Sequence, residues 1–369
     1  MNRRQLLSLS GAAATAAVAG GLLPRPATAA PDKPADSTRA LMKLGTFAQS
    51  VTDNSMKALR RWGIENIYAR APIADPDRIY PTVDELSQMR EIANRNGVSI
   101  DMLRPHNLAM SMIDQEEHPA IMLGQSPQRE RDIEGLQETV RNCARVGIPA
   151  MRYTLSIVGN TRTGFIPGRG DSTYKYAKMA DYDMDKPCTK AGHLSEEEYW
   201  EPITWFLNQM IPVANEYKVR LLSHMEDAMV PPGYQCLNPV TNTVEGAKKF
   251  VSIQESPYHG LLFCVGTFAE MLLNPQEDFY DVLRYFGERK KIFMVDFRNI
   301  RGNREEFTEV FPDEGDIDMY RVMQILKDVG YDGMVCPDHQ PLNPDGPDQV
   351  NAFQYGYIRG LIQAVDRPT

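Results

Sequence analysis

Eight short, β-rich runs alternate with amphipathic segments from Met42 onward, and this alternation constrains the fold more than any other feature of the chain. Strands joined through helices pair in parallel, because the crossover helix returns the chain to the same end of the sheet. Eight such units without a linker or a break in composition predict one α/β domain, a closed (β/α)8 TIM barrel, rather than two doubly wound domains. The predicted strands are 43–47, 66–69, 99–103, 150–154, 220–224, 261–265, 292–296 and 333–336. The predicted helices are 82–96, 129–146, 196–217, 243–254, 278–287, 319–329 and 351–365.

Composition and charge narrow the class of partner. The chain has 369 residues, of which 42% are apolar and 24% charged, as in an ordinary globular protein. Its formal net charge is −9, whereas proteins bind the phosphate backbone of nucleic acids through a basic surface. We therefore expect a small-molecule partner and no nucleic acid.

The first thirty residues are typical of an export signal. Arg3-Arg4 precede a soft apolar run, 11–23, and then Ala27-Thr28-Ala29, a small-x-small cleavage pattern. The run is about 13 residues, shorter than the roughly 20 that span a bilayer, so a retained anchor is the weaker interpretation. The paired arginines favour a twin-arginine (Tat) signal over an ordinary Sec signal. The sequence thus predicts a periplasmic or otherwise exported protein without membrane contact after cleavage, with a linker at 31–41 and the barrel at 42–369.

Five cysteines are present, an odd number without C-x-x-C spacing. This pattern argues against a disulfide framework or a zinc ribbon and predicts at least one free thiol. Two connections, 155–194 and 225–241, are too long to be simple turns. Both follow strand ends at the face that carries the site in such barrels, so we expect lids or substrate walls there. A surface excursion without a role is the alternative.

Polar residues end four of the predicted strands. They are His224, Cys264, Asp296 and Asp338. In a barrel these remote side chains converge at one rim, and such a mixed N/S/O set suits a divalent cation with positions left open for substrate. Taken singly, each has a structural interpretation; Asp296 could form a salt bridge with Arg298, for example.

Further candidate site residues are identified only by their position at strand ends. Arg104 and His106 follow the third strand, and Arg152 and Tyr153 lie in the fourth, so all four are candidates for contacting substrate hydroxyl groups. Glu226 and Asp227 follow the fifth strand and are candidate acid–base residues, with a surface loop as the alternative.

Ordered words between Ser195 and His339 resemble the mannonate dehydratase family, metal-dependent barrel enzymes related to the xylose isomerase-like superfamily. The words include Glu198-Tyr199-Trp200, His224-Met225-Glu226-Asp227, Cys264-Val265-Gly266-Thr267, Phe297-Arg298-Asn299, Asp313-Glu314-Gly315-Asp316 and Pro337-Asp338-His339. Asn160-Thr161-Arg162-Thr163 is similar to the family word W-T-R-T.

The resemblance implies a Mn²⁺ or Mg²⁺ cofactor and the removal of water from a sugar acid, D-mannonate giving 2-keto-3-deoxygluconate. It implies that His224, Cys264 and Asp338 bind the metal and that His339 is catalytic. Arg298 suits the substrate carboxylate because a guanidinium fork can contact both oxygens, although a bridge to a loop acid is the alternative. Asn299 and Arg162, in matching words, are further candidates for substrate binding. A homo-oligomer is also expected.

The chain departs from the family pattern at several positions. Asp296 stands where the family has histidine, and Cys336 where it has arginine. The family's late catalytic tyrosine has no clear counterpart, because Tyr355 and Tyr357 lie on the closing helix. Two alternatives therefore stay open: a metal-dependent isomerase, epimerase or lyase acting on another carbohydrate, and a sugar-binding barrel without catalysis.

Overall fold

A computed structural model of the protein describes residues 39–110, 112–227 and 229–367. The predicted export signal and all but the last three residues of the predicted linker lie outside the described residues. No helix in the described ranges combines the length and the apolar character that a membrane crossing requires.

Eight parallel strands close into a barrel, which confirms the predicted fold class. The barrel strands are β1 (Lys43–Ala48), β2 (Asn66–Arg70), β3 (Ser99–Arg104), β4 (Ala150–Thr154), β7 (Arg220–His224), β8 (His259–Cys264), β9 (Ile292–Asp296) and β12 (Met334–Cys336). Their order around the ring is β1-β12-β9-β8-β7-β4-β3-β2, so each barrel strand neighbours the next one along the chain. Most of these strands are buried on both faces, as a parallel sheet covered by helices requires.

A helix follows each barrel strand and covers the outside of the ring. The helices are α1 (Asp53–Arg61), α2 (Val83–Arg95), α3 (Gln128–Val146), α4 (Glu196–Tyr217), α5 (Val244–Ser252), α6 (Val265–Glu270), α7 (Pro275–Glu288), α8 (Met319–Asp328) and α9 (Pro347–Asp366). Capping residues set the start of several helices. Helix α2 begins after Thr82, whose hydroxyl accepts a hydrogen bond from the Glu85 N–H, while the Glu85 carboxylate accepts one from the Thr82 N–H. Helices α1 and α6 match none of the helices predicted from the sequence.

Two apolar layers hold the barrel together. Inside the ring a compact cluster includes Tyr68, Leu222, Leu262, Met294 and Met334. A much larger cluster lies between strands and helices, where the buried Phe206 of α4 and Phe263 of β8 pack. The inner cluster fills the interior below the rim, so polar chemistry is confined to the carboxyl ends of the strands.

A second, antiparallel sheet lies outside the ring. Its strands are β5 (Gly164–Pro167), β6 (Thr173–Lys178), β10 (Asn299–Gly302) and β11 (Glu306–Val310), in the order β10-β11-β6-β5. Residues 155–194 were predicted to be a long loop that acts as a lid or substrate wall, and β5 and β6 pair within it while β6 pairs with β11. This sheet joins the connections that follow β4 and β9, and it brings residues of both to the barrel mouth.

The expectation on cysteines was wrong in part. Cys188 and Cys236 form a disulfide, and Cys143, Cys264 and Cys336 are free and buried. The two bonded cysteines lie in the two long connections, which pack together although 48 residues separate the sulfurs along the chain. Linear spacing could not reveal this proximity. The prediction of at least one free thiol is confirmed.

Candidate active site

The carboxyl ends of four neighbouring strands deliver the four predicted metal ligands to one rim. His224 ends β7, Cys264 ends β8, Asp296 ends β9, and Asp338 follows β12 by two residues. Asp296 is in register with Cys264 on one side and with Cys336 on the other. The barrel order therefore brings to one rim four side chains that span more than a hundred residues of the sequence.

These strand ends border a small cavity of about 190 Å³. Six predicted site residues line it, together with four others: Arg104, Arg152, His224, Asp296, Asp338 and His339, then Ala109, Met110, Thr154 and Asn160. One side of the cavity is acidic and carries imidazoles, and the other carries two guanidinium groups. Such a concave site with a few convergent polar groups suits a small polar anion.

The surroundings of His224 keep its imidazole neutral and leave one ring nitrogen free to bind a metal. Its Nδ1 is 2.5 Å from the Met225 carbonyl oxygen, which only accepts, so Nδ1 carries the hydrogen and Nε2 keeps its lone pair. Burial lowers the pKa of His224 to about 4. A neutral imidazole oriented by a backbone carbonyl is the usual state of a metal-binding histidine.

The acidic side of the cavity is formed by Asp296 and Asp338, and the buried Cys264 thiol lies beside Asp338. Burial and the nearby Asp338 carboxylate raise the pKa of Asp296 to about 8. The Cys264 Sγ lies 3.7 Å from Asp338 Oδ2, and burial raises the pKa of this thiol well above its ordinary value. Ionisation of both carboxylates and of the thiol in this buried site is unfavourable unless a cation is near.

This donor set fits a divalent cation by its chemistry, since a neutral imidazole and two carboxylates line the cavity and a thiol lies beside one of the carboxylates. Within the described ranges, no three of the four donors place their ligand atoms within 4.8 Å of one another. The donors therefore surround the cavity more widely than a closed four-ligand cage.

Two arginines face the cavity from the opposite side. Arg152 lies over the ring of Tyr68 and Arg104 over the ring of Phe47, with guanidinium carbons 5.1 Å and 5.7 Å from the ring centroids. Burial and the charge of Arg152 lower the pKa of Arg104. Two like charges held close together in a buried wall favour an anionic ligand, because an anion relieves their repulsion.

Three side chains contact the ring nitrogens of His339 at the cavity edge, and one of them is Arg298, whose Nη1 is 3.0 Å from Nδ1. His339 Nδ1 is also 2.5 Å from Glu309 Oε1, and the Asn160 amide nitrogen is 3.0 Å from Nε2. The backbone of His339 has φ +31, a region that residues other than glycine rarely adopt. Burial alone would lower the pKa of His339, but the charges of Asp338 and Glu309 outweigh it and raise the pKa above its ordinary value.

A buried ion cluster lies directly behind His339. Arg298 donates to Asp227 and Glu309 from Nη1, and its Nη2 is 3.0 Å from Glu270. Arg162 pairs with Asp227 and Glu309 as well. The side chain of Arg298 has no solvent exposure. We predicted that Arg298 and Arg162 contact substrate, but their guanidinium groups are already bound by carboxylates, and Asp227 is bound by the arginines.

Three other predicted residues lie away from the cavity. Glu226 accepts from the backbone N–H groups of Val158 and Gly159 at 2.9 and 3.1 Å and from the Tyr199 hydroxyl at 2.6 Å, so it holds the loop after β4. The Asn299 amide donates to two backbone carbonyls at 2.9 Å beside the second sheet. Tyr153 faces outward and packs on Phe206, with ring centroids 4.7 Å apart. Tyr153 faces outward because alternate residues of a strand face opposite sides of the sheet, whereas Glu226 and Asn299 are held by backbone groups.

His106 also lies outside the cavity lining. Its Nε2 is 3.3 Å from Glu117 Oε2 in the connection between β3 and α3. The two tyrosines of the closing helix are packing residues as well, since the Tyr355 hydroxyl is 3.0 Å from Thr46 Oγ1 and Tyr357 stacks on Phe353.

Sequence reasoning missed Glu309 and Glu270, both buried acids of the ion cluster, and did not single out Asn160. Glu309 lies on β11, which pairs with a strand more than a hundred residues earlier in the chain. A buried glutamate within an apolar strand, Phe307 to Val310, was the available signal.

Comparison with known proteins adds a family to this geometry. The family model described as D-mannonate dehydratase (UxuA) matches residues 182–367, about half of the chain. Mannonate dehydratase of Thermotoga petrophila is 25% identical over 347 residues, which cover 83% of this chain and 92% of that protein. Mannonate dehydratase of Streptococcus agalactiae is 26% identical over 324 residues, covering 76% and 86%.

Solved structures share the fold. Mannonate dehydratase from Streptococcus suis has a TM-score of 0.73 at 22% identity and covers 88% of this chain and 95% of its own. D-psicose 3-epimerase from Clostridium cellulolyticum has a TM-score of 0.56 at 12% identity, covering 89% and 100%. At these identities the likeness establishes the barrel alone.

Proposed function

Because this chain belongs to the D-mannonate dehydratase family of hydro-lyases, we propose that it eliminates water from a sugar acid, converting D-mannonate to 2-keto-3-deoxygluconate. The observation that carries the proposal is the two-sided cavity. Proton-transfer and ligand groups line one side, and Arg104 and Arg152 line the other. A sugar acid has both features that such a site recognises, a carboxylate and adjacent hydroxyl groups.

We assign the substrate carboxylate to Arg104 and Arg152 instead of Arg298. Their guanidinium groups border the cavity, whereas that of Arg298 is enclosed by Asp227, Glu270 and Glu309. Charge-assisted hydrogen bonds from two guanidinium groups would fix the acid end of the substrate. The carbon next to the carboxylate, which loses its proton in the elimination, then lies toward His339.

A divalent cation, Mn²⁺ or Mg²⁺, would be held by His224, Cys264, Asp296 and Asp338. When bound, it would polarise substrate oxygens and stabilise the negative charge that develops as the proton leaves. Asp296 in the place of the family's histidine replaces a nitrogen donor by an oxygen donor. Oxygen ligands favour Mn²⁺ and Mg²⁺ over zinc.

His339 is the proposed acid–base residue. With the Nδ1 hydrogen donated to Glu309, Nε2 is the atom that exchanges a proton in the cavity. Water leaves as the hydroxyl group of one carbon and the hydrogen of its neighbour, and the resulting enol rearranges to the 2-keto product. Glu226 is not assigned a catalytic role, because backbone N–H groups already bind its carboxylate. Asp227 is assigned to holding Arg162 and Arg298.

Incubation of the purified protein with Mn²⁺ and D-mannonate tests this function. We expect a 2-keto-3-deoxy acid, and we expect its rate of formation to fall by at least about 10²-fold in His339→Gln. An epimerised or isomerised sugar acid without loss of water would contradict the proposal, as would binding of D-mannonate without turnover.

Export by a Tat-type signal is also part of the proposal. The Cys188–Cys236 disulfide supports it, because such bonds persist in oxidising compartments and are rare in the cytosol. Replacement of Arg3-Arg4 by two lysines should retain the protein in the cytoplasmic fraction, while replacement of Arg39 in the linker should not. Equal export of both variants would contradict a Tat route.

A further inference from the structure

We infer that His106, Glu117 and His118 form a second cation site, separate from the cavity and suited to Zn²⁺. The three residues lie in the connection between β3 and α3. One ligand atom from each lies within 4.8 Å of the others. Two imidazoles and one carboxylate form a ligand set that zinc commonly adopts, with a fourth position left for water.

The spacing of two of these atoms already matches a tetrahedral site. His106 Nε2 and Glu117 Oε2 are 3.3 Å apart. Zinc lies about 2.0–2.2 Å from nitrogen and oxygen ligands, so two tetrahedral ligands are roughly 3.3–3.5 Å apart. The ligand atom of His118 reaches the same distance from the other two by a movement of about 1.5 Å or less. The His118 side chain is only partly buried, so it has room for this movement.

A buried carboxylate behind His118 is the second, independent observation. The Asp132 side chain is 3% exposed, and its Oδ1 lies 4.0 Å from His118 Nδ1. Within the described residues this buried carboxylate has no hydrogen bond. Metal-binding histidines commonly donate their other ring N–H to a carboxylate, which sets the tautomer and leaves Nε2 for the ion. Asp132 is placed for this role.

The polypeptide itself brings the ligands together. The carboxylate of Glu116 accepts from the N–H groups of Ala109 and Met110 at 3.1 and 3.0 Å, which folds the loop back on itself. Glu116 is buried, so these bonds are shielded from water. The two arms of the loop, one carrying His106 and the other Glu117 and His118, are thus adjacent without an ion.

A cation here would stabilise one wall of the cavity. Arg104, Ala109 and Met110 line the cavity and belong to the same stretch of chain as His106. A bond from the metal to both arms would restrict the movement of this wall. The proposed ion is therefore structural, and it is independent of the reaction assigned to the cavity.

Zinc uptake by the full chain tests the site. Metal-free protein is loaded with Zn²⁺, freed of excess ion, and analysed for bound metal. We expect His118→Gln and Glu117→Gln each to bind one zinc equivalent fewer than the wild type. Glu134→Gln removes the same charge from an exposed position of α3 and should bind as much as the wild type. Equal zinc content in all four proteins would overturn the inference.

Cobalt distinguishes this site from the cavity. Co²⁺ bound near Cys264 gives a sulfur-to-metal charge-transfer band, which a site of nitrogen and oxygen ligands lacks. His118→Gln should lose the part of the visible ligand-field absorption that comes from this site and should keep the charge-transfer band. Asp132→Asn should weaken binding by about 10- to 100-fold. Loss of both signals in His118→Gln and Glu117→Gln would overturn the inference, because the variants would then act through the cavity.

Discussion

Glu309 Oε1 and His339 Nδ1 lie 2.5 Å apart, although one residue lies in the antiparallel sheet and the other lies beyond the end of a barrel strand. Glu309 comes from β11 of the antiparallel sheet, and His339 follows the last barrel strand. The same oxygen accepts from Arg298 Nη1 at 2.7 Å and from Arg162 Nε at 3.0 Å. The second sheet therefore positions the imidazole on which the proposed proton transfer depends.

Replacement of Glu309 by glutamine should lower kcat by about 10²-fold with little change in KM, because the imidazole loses its orienting carboxylate while the substrate contacts stay. Steady-state kinetics with D-mannonate measures both constants. Glu306→Gln alters an exposed glutamate of the same strand and is the matched control. A rise in KM at unchanged kcat would show that Glu309 does not act through His339.

Replacement of Arg152 by methionine should raise the KM for the sugar acid by about 10- to 100-fold, the usual value of one charge-assisted hydrogen bond. Arg104→Met should act in the same direction, and Arg298→Met should instead reduce the folded fraction, since it leaves buried carboxylates unpaired. Arg61→Met changes an exposed arginine of α1 and serves as the control. An unchanged KM in both cavity variants would contradict the assignment.

The barrel was predictable because its strands are short apolar runs between helices of ordinary amphipathic pattern. Boundaries shifted where side chains act on backbone groups: β8 ends at Cys264 and not at 265, because the Cys264 sulfur caps α6 by accepting from the Thr267 N–H. Helix α1 was not predicted because Met56 is its one buried residue, so its sequence has almost no helical periodicity of apolar residues.

The site was predictable where strand ends alone decide position, as for His224, Asp296 and Asp338. It was not predictable where side chains meet through long-range pairing. Glu309 reaches His339 only because β11 pairs with β6, and Glu226 points at backbone N–H groups instead of the cavity. Strand β7 ends at His224, so the alternation of faces does not extend to Glu226, and the loop directs its carboxylate to backbone N–H groups.

Removal of predicted ligands should reduce Mn²⁺ binding in the cavity. We expect His224→Ala and Cys264→Ala to weaken Mn²⁺ affinity by at least about 10- to 100-fold. A loss of this size already follows removal of a group that only hydrogen-bonds to a metal ligand. Titration monitored by the electron paramagnetic resonance of free Mn²⁺ measures this. Cys143→Ala removes a buried thiol on α3, far from the cavity lining, and should bind normally. Unchanged affinity in both ligand variants would contradict the metal assignment.

Reduction of the disulfide should destabilise the fold. The bond between Cys188 and Cys236 closes a loop with a sequence separation of 48, for which the chain-entropy estimate is about 4 kcal/mol. Urea unfolding with and without reductant should show a loss of this order in the wild type. The double variant Cys188→Ser, Cys236→Ser should be equally unstable in both conditions, and a reductant effect that persists in it would assign the loss to another thiol.

His259 should make the fold acid-sensitive. It lies on β8 with no solvent exposure, packs against Phe250, and its Nδ1 is 3.0 Å from the Gln254 carbonyl oxygen. Burial lowers its pKa from 6.5 to about 4, and the charge of Lys291 acts in the same direction while that of Glu255 opposes it. In the unfolded chain His259 therefore binds a proton near pH 6.5, whereas in the folded protein it binds one only near pH 4.

This difference contributes stability that is fully present above pH 6.5 and is lost as the pH falls toward 4, about 3 kcal/mol in all. Urea unfolding across this range, compared between the wild type and His259→Gln, isolates the contribution from that of the carboxyl groups, which titrate in both. The variant should be less stable at neutral pH and should lose less stability on acidification. His193→Gln, at an exposed position, should follow the wild type, and parallel curves for wild type and His259→Gln would show that His259 titrates normally.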